Sequence, residues 1–156
     1  AFRFGAKQVY TEEFREIRTE FPDHVALTPS EVTAQYLANK LPLFDFIFTY
    51  SSLEHTGLGR YGDRLDAFGD ILAIAQARCH LKAGGVLFLG FPTGYDEVAF
   101  NAHRIYGYYR LHLILSLGFE LIDIYGFKAA KSFSIHHKHG KHFIFQPLIV
   151  LKKTND

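Results

Sequence analysis

The chain has 156 residues, the length of one domain, and its 48% hydrophobic and 21% charged residues exclude disorder as the default state. One Cys excludes a disulfide framework and a Cys-rich zinc site, and no apolar run approaches the roughly 18 residues that a membrane span needs. Net charge is +1, unevenly spread: residues 126–156 carry six Lys against Asp156, and the first 125 carry 11 basic and 15 acidic residues.

Read along the chain, short apolar runs alternate with helical stretches, the pattern of an α/β domain. Ala6–Thr11 is a strand candidate that ends at Glu12 and Glu13. Val25–Thr28 is a weaker one, followed by Pro29-Ser30-Glu31, which reads as the start of a helix over Ser30–Lys40 with Ser30 as cap. Phe44–Tyr50 is rich in aromatic and β-branched residues, as a buried parallel strand is.

A polar loop from Ser51 to Arg64 comes next. Asp66–Leu81 is then an amphipathic helix whose apolar face is Phe68, Leu72, Ala75 and Cys79, and it stops at Lys82-Ala83-Gly84-Gly85. That face makes Cys79 a packing residue. Val86–Phe91 is a buried strand, and His103–Leu117 a helix closed by Gly118. Phe119–Tyr125 and His142–Leu151 are the last two strands, with no helix between them, so they are expected to pair antiparallel at a sheet edge. The expected unit is a single domain over 1–156.

The loop holds the densest polar set: Ser51, Ser52, Glu54, His55, Arg60, Tyr61, Asp63 and Asp66. It follows a buried strand, where a rigid scaffold presents side chains to a ligand. An imidazole titrates near neutral pH, so His55 can act as acid or base. The plainer reading is that Glu54 and Asp63 only satisfy loop amides. Gly57-Leu58-Gly59-Arg60-Tyr61-Gly62 matches G-x-G-x-x-G, but the spacing from strand and to helix is wrong for a pyrophosphate loop. Tight turning over the strand ends explains it better, and a nicotinamide-dependent enzyme rests on that match alone.

Asn101, His103, Arg104 and Tyr106 form a second polar cluster after the next strand. If both loops leave the carboxyl edge of a parallel sheet, they converge on one pocket. In it, Arg104 would clamp an anionic or hydroxylated acceptor, and Tyr61 and Tyr106 would be stacking walls. Asn101 can equally cap the helix that follows. Glu13, just past a strand, can accept from ribose hydroxyls or merely lend negative charge to a short helix. His136, His137, His139 and His142 stand among Lys rather than acids, so no metal is expected there. That basic tail reads as a solvated loop, with contact to phosphate or an acidic partner as the alternative. Nothing is basic enough for a nucleic-acid binder, and Gly-x-Ser-x-Gly is absent.

Four stretches then carry a resemblance: Gly5–Phe14, Phe44–Ile47, Ser51–Asp63 (Ser-Ser-Leu-Glu-His-Thr-Gly-Leu-Gly-Arg-Tyr-Gly-Asp) and Asn101–Gly107. The chain resembles the class I S-adenosylmethionine-dependent methyltransferase fold. Within it, the chain is most similar to a family of uncharacterised, methyltransferase-like domains first catalogued from nematode proteins. The resemblance implies a Rossmann-like, mostly parallel sheet with an antiparallel C-terminal strand pair. It implies that Glu13 holds the cofactor's ribose and that Ser51, Ser52 and Glu54 border the cofactor.

Two features depart from that family. Its first strand and glycine-rich cofactor loop would precede Gly5, so the chain, which opens on Ala-Phe-Arg-Phe, reads as a fragment truncated at its N-terminal strand. Tyr-Asn usually follows the acid where Phe14-Arg15 stand here. The expectation is therefore methyl transfer from S-adenosylmethionine to an unidentified small-molecule or glycan acceptor. Cofactor binding would belong to the full-length protein and be weak in this chain. The base would be His55, Asp63 or His103, with Arg104 at the acceptor. The alternative is a catalytically silent domain that binds a partner or a glycan.

Overall fold

The computed structural model describes residues 1–126 and 145–154. They fall into two compact units, Ala1–Pro42 and Leu43–Asp156. The class is α/β, with three α-helices and mixed sheets among the described residues.

In the first unit, β1 (Val9–Glu12) and β2 (His24–Leu27) pair in parallel. His24 ties this unit together, its two ring nitrogens lying 2.8 and 2.9 Å from the hydroxyls of Thr11 and Thr19. Helix α1 (Pro29–Leu37) follows. Its cap is Thr28, not Ser30 as expected: Thr28 Oγ1 accepts from the Glu31 N–H while Glu31 Oε2 accepts from the Thr28 N–H. This reciprocal box satisfies two amides at once, and Pro29 fits the first helical position because it has no N–H to satisfy.

The second unit is built on a four-stranded sheet of β3 (Phe44–Tyr50), β4 (Leu81–Gly90), β8 (Leu148–Lys153) and β7 (Phe119–Tyr125), in that spatial order. Strands β3 and β4 are parallel, while β8 is antiparallel to both β4 and β7. The sheet is thus mixed, where a mostly parallel one was expected. The last two strands do pair antiparallel, with β7 at the edge and β8 inside. β8 starts and ends later than expected, and residues 127–144, including His136, His137, His139 and His142, lie outside the described ones.

Helices α2 (Gly69–His80) and α3 (Tyr108–Leu115) contribute Ile74, Leu111 and Ile114 to a core with Leu81, Leu87, Leu89, Phe91, Ile149 and Leu151. The buried face of α2 is not the expected one. Phe68 and Leu72 are more than half exposed and Cys79 is exposed, while Asp70 and Ile74 are fully buried. A carboxylate can take a core position only if its charge is met there, and Asp70 meets two arginines.

The segment expected as one helix over His103–Leu117 also divides. Glu97–Ala99 (β5) and His103–Ile105 (β6) form an antiparallel hairpin, and α3 begins only at Tyr108. Asn101 sits in the hairpin turn with φ 56°, six residues before the Gly107 cap position of α3. Asp96 caps α3 instead, its carboxylate accepting from the N–H groups of Gly107, Tyr109 and Arg110.

Candidate functional site

The loop after β3 is locked from three sides. Asp63 Oδ2 accepts from the N–H of Gly57 at 2.6 Å, and its Oδ1 from the N–H of Tyr61 at 3.2 Å. Burial pushes this carboxyl up, but the backbone donors around it outweigh that and hold it below the ordinary carboxylate range. Where the loop enters α2, Gly57 (φ 80°) crosses Gly69: a Cβ on Gly57 would lie 2.4 Å from the Asp66 carbonyl, and one on Gly69 would lie 2.9 Å from the Gly57 Cα. The G-x-G-x-x-G match is therefore turn and crossing chemistry.

Arg104 makes the third lock. It is only 1% exposed, and its guanidinium donates to the carbonyls of Thr56, Asp66 and Ala67. An arginine so occupied holds its own loop, and the expectation that it clamps an acceptor is corrected on that ground. Tyr106 is equally withdrawn: fully buried, it stacks on Phe91 at 3.9 Å and donates its hydroxyl to Asp70 Oδ2. It is a core residue and not a stacking wall.

Beneath the loop lies a charge cluster that sequence reasoning missed. Asp70 receives Tyr106 Oη at 2.8 Å and Arg110 Nη1 at 2.7–2.8 Å, and Arg104 Nε stands 3.6 Å away. Burial, and then the Asp70 charge, push the Tyr106 phenol far above its ordinary value. Arg110 also donates to the carbonyl of Ala67, so both arginines brace one backbone turn. A helical period with an acid on the apolar side was the only signal available.

Above the loop, the structure gathers Ser51, Glu54, His55 and His103. Glu54 is 1% exposed; its Oε1 accepts from Ser51 Oγ at 3.1 Å and lies 3.8 Å from His55 Nε2. Its Oε2 is buried with no hydrogen-bond partner among the described residues. The His55 ring places Nδ1 at the carbonyl of Ala102, in the hairpin turn. A carbonyl only accepts, so Nδ1 carries a proton, and Nε2 is the nitrogen left to exchange one. The rings of Tyr61 and His103 meet His55 edge-on, at 5.8 and 6.3 Å.

Ser52 opens the short 3-10 turn Leu53–His55 without a side-chain cap bond. Glu13 belongs to the first unit, one residue beyond β1, exposed, with Oε1 accepting from the Phe14 N–H at 2.8 Å. Among the described residues no three His, Cys, Asp or Glu side chains come together as a metal site.

A family described as Caenorhabditis protein of unknown function, DUF268, matches residues 1–154. The chain belongs to this family. Its membership agrees with the nematode-first resemblance, and the description of DUF268 carries no activity. No curated protein matches this DUF268 chain. Among its described residues no helix is long and apolar enough to cross a membrane.

Proposed function

We propose that this DUF268 protein is an S-adenosylmethionine-dependent methyltransferase with its reacting site at the Ser51–His55 turn. The observation that carries the reading is the Glu54–His55 pair. Among the described residues one oxygen of a buried carboxylate lacks a partner, beside an imidazole whose ring is oriented by a backbone carbonyl. Leaving a buried acceptor unpaired costs about 1–3 kcal/mol, a cost that a ligand's donors can remove. The ammonium and hydroxyl groups of S-adenosylmethionine are such donors, so Glu54 fits the cofactor. Support also comes from the two parallel strand pairs followed by an antiparallel C-terminal pair.

When bound, S-adenosylmethionine supplies a sulfonium methyl: a new bond forms from an acceptor oxygen or nitrogen to that carbon as the carbon–sulfur bond breaks, its electrons staying on sulfur. The chain's own work is positioning and proton removal. His55 Nε2 takes the acceptor's proton, and the resulting imidazolium is met by Glu54 Oε1. Ala102 holds the ring in the tautomer this needs. Asp63, bound to backbone amides, and Arg104, whose two terminal nitrogens donate to carbonyls, are positioning residues that keep the loop in place. His103, edge-on to His55, lines the acceptor side.

Equilibrium dialysis of the full-length protein against radiolabelled S-adenosylmethionine tests this. Saturable binding that S-adenosylhomocysteine displaces is expected. No saturable binding overturns the reading.

A further inference from the structure

With Arg104 and Tyr106 buried, the rim of the loop carries a different cation and a different aromatic ring. Arg60 is exposed, and its Cζ lies 5.8 Å from the centroid of the Tyr61 ring, itself 57% exposed. Among the described residues its guanidinium makes one hydrogen bond, from Nη1 to the Asn101 carbonyl at 3.4 Å, and meets no carboxylate. The acids of the loop are already committed, Asp66 to the Phe68 N–H at 2.8 Å. Glu54 is buried against Ser51 and His55, and Asp63 is spent on the amides of Gly57, Gly59 and Tyr61.

The rim is therefore basic, and its parts are held from separate elements. Asp63 fixes the Tyr61 backbone, the Asn101 carbonyl of the hairpin turn steadies Arg60, and β6 presents His103 edge-on to His55. A planar guanidinium with free donors, next to the Tyr61 ring that meets His55, matches an oxyanion, which an arginine fork binds through paired hydrogen bonds. The exposed Tyr61 face adds an apolar platform for the ligand's carbon frame.

We propose that Arg60, with Tyr61 and His103, forms an oxyanion site on the acceptor side of His55, taking a hydroxylated acceptor that bears a carboxylate or a phosphate. The charged group anchors on Arg60, and a hydroxyl of the same molecule reaches His55. This inference rests on the proposed methyltransferase reading only for the hydroxyl's fate, not for binding of the anion.

The test is calorimetric titration of the full-length protein with glucuronate, glucose 6-phosphate and glucose, for wild type and Arg60→Gln. A charged sugar is expected to bind at least about tenfold more tightly than glucose, the scale of a charged hydrogen-bonded pair. The tighter of the two charged sugars tells carboxylate from phosphate. Arg60→Gln should abolish the preference at unchanged S-adenosylmethionine affinity and unchanged Tm. Equal affinity for all three sugars, or a preference that survives Arg60→Gln, overturns the site. Arg60-dependent sugar binding without S-adenosylmethionine binding would instead sink the methyltransferase reading and leave the oxyanion site standing. Cofactor binding without that sugar preference does the reverse.

Discussion

The Tyr106 hydroxyl donates to Asp70 Oδ2 at 2.8 Å, joining two residues that are both fully buried and 36 positions apart. Through Asp70 the contact extends to Arg110 and Arg104, and through them to the backbone of the site loop. Asp70→Ala should destabilise the protein by about 3–5 kcal/mol, because it strands two arginine charges in or near the core. Tyr106→Phe should cost less, about 1.5–3 kcal/mol, since Arg110 still meets the carboxylate. Urea unfolding of both variants checks the order. A larger loss for Tyr106→Phe would contradict the network as described.

The crossing of Gly57 and Gly69 predicts unequal costs among the loop glycines. Gly62 has φ 82° but open space where a Cβ would go, so Gly62→Ala should cost only the left-handed backbone penalty, about 1–2 kcal/mol. Gly57→Ala adds a 2.4 Å approach to the Asp66 carbonyl and should cost clearly more. Thermal unfolding of the two variants side by side decides. Equal losses would mean that the crossing is looser than described.

Buried His80 gives the fold a dependence on acid. Desolvation holds its imidazole below the ordinary histidine range. In the unfolded chain the ring takes a proton below about pH 6.5; in the folded chain it takes one only at lower pH. Its contribution is therefore full above about pH 6.5 and is lost as pH falls through the folded value. Wild type should lose more stability than His80→Gln between pH 7.5 and 5.5, measured as urea midpoints. Equal losses would remove His80 as the source.

Much of the second unit was legible in the sequence. Phe119–Tyr125 is a strand with the bounds that its β-rich run suggests, and Phe44–Tyr50 likewise, although it stands at the sheet edge with Phe46, Phe48 and Tyr50 exposed where burial was expected. Two things were hidden. The buried face of α2 was misread because Phe68, Leu72, Ala75 and Cys79 keep a helical period, while the face that packs includes Asp70. Only partners 34 and 40 residues away, Arg104 and Arg110, make that acid a core residue. The β5–β6 hairpin was hidden because three-residue strands show no period. With it went the true places of Arg104, Asn101 and Ala102. His55 and Glu54 were legible as candidates from their loop, but the carbonyl that orients His55 comes from that unseen hairpin.

For catalysis, His55→Ala should lower turnover by roughly 10²–10⁴, the span of a general base, with S-adenosylmethionine affinity nearly intact. Glu54→Gln should weaken cofactor binding as well, because it replaces the carboxylate whose Oε2 awaits a donor. Methyl-transfer kinetics with a cofactor titration of each variant separate the two roles. Loss of cofactor affinity in His55→Ala would move His55 from the acceptor side to the cofactor.

The reading turns on binding of S-adenosylmethionine at Glu54. Calorimetric titration of the full-length protein with S-adenosylmethionine and S-adenosylhomocysteine, wild type against Glu54→Gln, tests it most directly. The amide keeps the shape of the side chain and still accepts from Ser51 Oγ, and an unchanged Tm shows that folding is intact. We expect one saturable site for both ligands, weakened in Glu54→Gln by about 1–3 kcal/mol, the cost of a lost charged hydrogen-bond partner. No binding by the wild type, or the same affinity with and without the Glu54 carboxylate, would contradict it.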